Sequence, residues 1–75
     1  MSSDNGIYIH NFRNGWRVVH GQCIENVLES KKAMREYFSD SPLFKTANKA
    51  MIFAWKLYKK TIKEYGIIEY GIQLI

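Results

Sequence analysis

The chain reads as a small α+β domain of order β-β-α-α-β, a three-stranded sheet with two helices packed on one face. Three observations predict that class. GIYIHNF and WRVVH flank Asn14-Gly15, the preferred pair of a two-residue hairpin turn. Two stretches with apolar residues at three- and four-residue spacing follow. IIEYGIQLI then closes the chain with apolar and polar residues in alternation.

Each element has its own justification. GIYIHNF alternates as a strand does, and a turn at Asn14-Gly15 sets the hairpin register. Phe12 then faces Arg17, His10 faces Val19, and Ile9 faces His20. Ile7, Ile9 and Val18 share the core face. Tyr8, His10, Phe12, Arg17 and Val19 share the other, which this chain leaves uncovered. A first helix runs from Gln22 to about Phe38, with Ile24, Val27, Leu28, Met34 and Phe38 as its apolar stripe. SDSP at 39–42 ends it, because proline disfavours helix in the residue before it. A second helix starts at Thr46 as N-cap and ends before Gly66. Its inner face is Ala47, Ala50, Met51, Ala54, Leu57, Tyr58 and Ile62. IIEYGIQLI is the third strand, pairing with the hairpin.

At 75 residues, the chain is one domain that buries about 60% of its unfolded surface. Residues 1–5 read as a disordered leader and 6–75 as the domain. MSSDNG has neither the basic nor the apolar part of a signal peptide, and no apolar run approaches a membrane span of about 20 residues. One cysteine, Cys23, excludes an internal disulfide. The expectation is a soluble cytoplasmic protein. A net charge of +4 biases it toward anionic partners.

The sequence points away from enzyme chemistry. Cys23 sits three residues after His20 at a helix start, a conceivable thiol–imidazole pair, but no third residue orients it. Histidines, cysteine and carboxylates show no metal-ligand spacing. The glycine patterns of P-loops and dinucleotide sites are absent. No cofactor or metal is implied.

Binding is better represented. GWRVVHGQCIEN crowds Arg17, His20, Gln22 and Asn26 at the junction of strand and helix. Gly21 precedes the helix without a capping side chain, so first-turn N–H groups are free to meet an anion. Arg17 offers a bidentate phosphate contact, with His20 as a second donor. Gln22 and Asn26 read polar groups, and Tyr8 or Trp16 stacks on the ligand. The competing reading is a polar edge facing water, with Arg17 on Phe12 as a cation–π pair. Lys49, Lys56, Lys60 and Lys63 share one side of the second helix, with Lys45 and Lys59 flanking. They form either a solvated face or a phosphate-tracking stripe. Phe12, Phe53 and Trp55 are spare apolar surface, suited to a homo-oligomer interface.

GIYI, NGWRVVHGQCIENV and EYGIQLI together resemble a family of small bacteriophage proteins. The matching positions are Gly6 to Ile9, Arg17, Val18, His20, Gln22, Ile24, Glu25, Asn26 and Glu69 to Ile72. Trp16 stands where the pattern has tyrosine. Gly21 and Cys23 stand at its small-residue positions. The resemblance covers both ends of the chain and little of the helices. It implies a viral protein that counters host defence without catalysis. The leading expectation is a homo-oligomeric sponge for a nucleotide-derived signal, an ADP-ribose derivative or cyclic nucleotide. The alternatives are an anti-CRISPR-like inhibitor of a host defence protein and a small basic nucleic-acid-binding protein.

Overall fold

Alternation along the hairpin decides which side chains meet which helices. The computed structural model describes residues 5–75. Strands β1 (Asn5–Phe12) and β2 (Gly15–Gln22) form the antiparallel hairpin. Two short helices follow, α1 (Ile24–Val27) and α2 (Lys31–Tyr37), then a two-residue strand β3 (Leu43–Phe44). Helix α3 (Ala47–Tyr65) and strand β4 (Ile72–Leu74) complete the chain. The sheet order is β3-β2-β1-β4, with β4 parallel to β1 and the other pairs antiparallel. The class is α+β, as expected, and the sheet is mixed, but it has four strands among the described residues instead of three. Of the leader expected over residues 1–5, residues 1–4 lie outside the described residues, and Asn5 belongs to β1.

The hairpin turn is Arg13-Asn14, one residue earlier than expected. Phe12 pairs with Gly15, His10 with Arg17 and Ile9 with Val18. Gly15 has φ +142°, and a Cβ there would stand 2.6 Å from the Phe44 carbonyl oxygen. A glycine therefore both adopts the backbone and lets β3 approach. The pairing slips by two residues relative to the expectation. With a side-chain period of two, that slip leaves the faces unchanged.

The core face is the one expected. Ile7, Ile9 and Val18 are buried against Ala50 and Ala54 of α3, together with Ile68. Alanines let the helix backbone lie close to the sheet. Thr46 caps α3, its hydroxyl accepting from the Lys49 amide at 3.2 Å, and Gly66 ends it. Ala47 and Met51 are exposed, contrary to their assignment to the inner face, while Phe53 packs inward against Phe44. Ile68 is a core residue and not part of a strand. Regular pairing begins only at Ile72, after the Tyr70 amide has bonded to the Asn5 carbonyl at 3.0 Å.

The opposite face is covered, contrary to the expectation of two helices on one side. Tyr8 packs there with Ile24, Met34 and Phe38 from α1, α2 and the residue after α2. The single helix expected from Gln22 to Phe38 is interrupted. Ser30 has extended backbone, and its hydroxyl accepts the Ala33 amide at 3.3 Å. A serine that caps a new helix competes with continuing the old one. Leu28, assigned to the apolar stripe, is turned outward at this break and is half exposed.

Candidate anion-binding site

Arg17 lies on the α2 side of the sheet, opposite His10. Its guanidinium donates to the main-chain carbonyl oxygen of Ser41. That bond joins β2 to the turn following α2. The turn is closed by the Ser39 amide on the Glu36 carbonyl at 3.2 Å and the Ser41 amide on the Phe38 carbonyl at 3.0 Å. A guanidinium carries five N–H donors, so the bond to Ser41 orients Arg17 while leaving donors for another partner.

Held in this way, Arg17 lines a cleft of about 310 Å³ with Phe12, Asn14, Arg35 and Ser39. Arg35 comes from the last turn of α2 and Asn14 from the hairpin turn. The Phe12 ring is braced edge-on by Phe38 at 5.3 Å and by His10 at 4.6 Å between ring centroids. None of these five lining residues is acidic. Two arginines lining one concavity favour a positive potential there, and the planar fork of a guanidinium matches the oxygens of a phosphate.

The residues expected to form one site are divided by the sheet. Arg17 is on the α2 side. His20 is on the α3 side, its ring stacked on Tyr65 at 6.2 Å between centroids. Trp16 packs against the α3 core. Tyr8 is 1% exposed and cannot stack on a ligand. Gln22 and Asn26 are exposed; Gln22 gives its main-chain carbonyl to the Tyr37 hydroxyl at 2.9 Å. Cys23 is exposed, precedes α1 and adopts the left-handed region at φ 58°. The expected helix N-terminal site is not built, since α1 has four residues and Glu25 in its first turn.

The aromatic trio expected at an oligomer interface is divided as well. Phe12 belongs to the α2 layer and Phe53 to the α3 layer. Trp55 is 52% exposed, with its ring edge-to-face with Tyr58 at 5.5 Å. Lys49, Lys56, Lys60 and Lys63 are all exposed on α3. Among the described residues, no group of three or more His, Cys, Asp or Glu is placed to hold a metal ion. No helix formed by them is long and apolar enough to cross a membrane.

A second hollow, of about 300 Å³, lies on the open edge of β2 between Val18, His20, Tyr37, Pro42 and Leu57. β3 pairs only with Trp16 and Arg17, so beyond them that edge has no strand neighbour among the described residues. Nε2 of His20 is buried there without a hydrogen-bond partner among the described residues.

Sequence reasoning missed Arg35, Asn14 and Ser39 as cleft residues. The available signal was Arg35 itself, a cation directly after the core residue Met34 and so beside the sheet-facing arc of α2. The chain matches no protein family, no curated protein and no solved structure at a significant level.

Proposed function

We propose that the protein is a non-enzymatic binder of a phosphate-bearing small molecule, held in the cleft between β2 and α2. Arg17 and Arg35 take the phosphate oxygens, Phe12 stacks on a ring, and Asn14 and Ser39 supply polar contacts. The observation that supports this reading is that two arginines, Arg17 and Arg35, line one cleft whose lining residues include no carboxylate. The sequence resemblance to small phage proteins supports the setting: sequestration of a nucleotide immune signal such as an ADP-ribose derivative or a cyclic nucleotide. His20, Tyr8 and Trp16 have no part in this site.

Native mass spectrometry with a pool of ADP-ribose and cyclic nucleotides tests the reading. The wild-type protein is expected to retain one nucleotide mass. Arg35 is exposed, so Arg35→Ala should leave thermal unfolding unchanged. It should weaken binding about ten- to a hundredfold, the worth of one charge-assisted hydrogen bond. A protein that retains none of the pool, or an Arg35→Ala variant with unchanged affinity, overturns the site.

A further inference from the structure

We infer that the outer face of α3 is a second, independent binding surface, and that its partner is the phosphate backbone of a nucleic-acid duplex. Lys49, Lys56, Lys60 and Lys63 are exposed. At about 100° per residue they fall within an arc of roughly 60°, and at 1.5 Å per residue they span about 21 Å. Lys59 and Ile52 extend the arc on one flank, with Trp55 beyond them. The one acidic residue of α3 is Glu64, outside the arc on the other flank.

A solvated helix face commonly alternates charge, because like charges three and four residues apart repel. α3 carries Lys56, Lys60 and Lys63 at those spacings with no opposing charge between them. Its backbone is fixed independently of any ligand by the Thr46 cap and by Ala50 and Ala54 in the core. The lysines are therefore carried in a row at fixed backbone positions, which suits a regular array of phosphates. A bilayer surface suits it less. An interfacial helix turns its apolar face outward into lipid, whereas α3 commits that face to the sheet. Of its exposed large apolar residues, Met51, Trp55 and Tyr65 lie outside the lysine arc and only Ile52 borders it.

The test is fluorescence anisotropy with a short labelled DNA duplex over a range of salt concentrations. Four phosphate contacts predict that log affinity falls against log salt with a slope of about −3.6, at about 0.9 per contact. The double variant Lys56→Gln/Lys60→Gln should reduce the slope by about 1.8. Lys31→Gln/Lys32→Gln removes the same charge from α2 and should leave the slope unchanged. Circular dichroism confirms that both variants fold. Equal losses in the two variants would reduce the effect to net charge and overturn the surface. So would absence of duplex binding, or binding to phosphatidylserine vesicles without binding to the duplex. Neither Arg17 nor Arg35 is altered, so failure here leaves the cleft reading standing, and failure of the cleft leaves this one.

Discussion

The two faces of the sheet are covered in opposite ways. On one side a 19-residue helix lies against Ile7, Ile9 and Val18, with Ala50 and Ala54 at the contact. On the other, helices of four and seven residues are held to the sheet by bulky side chains: Tyr8, Met34 and Phe38. Their charges differ too. Residues 45–65 carry six lysines and one glutamate, a balance of +5, whereas residues 23–42 carry three cations and four acids, a balance of −1. A long helix supplies its own regularity, approaches the sheet through small residues and presents its outer face as an ordered row. Short helices depend on large side chains to bridge to the sheet, and the uneven cover leaves a cleft at its edge.

That contrast predicts which core substitution is worst. Phe38 is fully buried and contacts the rings of Phe12 and Tyr37. Phe38→Ala should cost about 3–5 kcal/mol by denaturant unfolding, because the short helices have little else to close the void. A cost below about 1 kcal/mol would mean that the layer collapses freely, and the contrast would fail. On the other face the sensitive change is an enlargement. Ala54 is fully buried between helix and sheet, and Ala54→Leu should cost about 1–3 kcal/mol by overpacking. The same readout checks it. If the substitution is neutral, α3 is not closely seated.

The unequal legibility of the two layers in the sequence has the same origin. The hairpin faces were readable because moving the turn one residue, from Asn14-Gly15 to Arg13-Asn14, shifts the pairing by two and so preserves the alternation. α3 was readable because Thr46, a long periodic run and Gly66 agree about one helix. The second layer was hidden because the stripe from Ile24 to Phe38 fits one helix as well as two, and Ser30 is a weak local signal against it. β3 has two residues and so no periodicity at all. For the site, Arg17 was legible as a cation placed within a strand. Its partners were not, since Arg35 and Ser39 reach it only once α2 crosses the sheet face that the sequence left open. Grouping Arg17 with His20 failed because residues three apart in a strand lie on opposite faces.

The helix caps give the smallest and most local comparison. Thr46 and Ser30 make the same bond, a hydroxyl accepting an amide three residues on, at 3.2 and 3.3 Å. Removing either should cost about 1 kcal/mol. Where that cost falls should differ. α3 is fixed along its length by the core, so Thr46→Ala frays the first turn and lowers global stability without opening the helix. α2 has seven residues, too few to hold itself in water once its start is unmarked. Ser30→Ala should therefore let α2 open as a unit, and amide exchange should rise across residues 33–38 while β1 and β2 stay protected. Since Arg35 lies on α2, the same variant should weaken occupancy of the cleft while leaving the lysine face of α3 unaffected. Exchange that rose equally in both layers would mean that the two faces fold as one cooperative unit, and that the cleft is as rigid as the helix behind it.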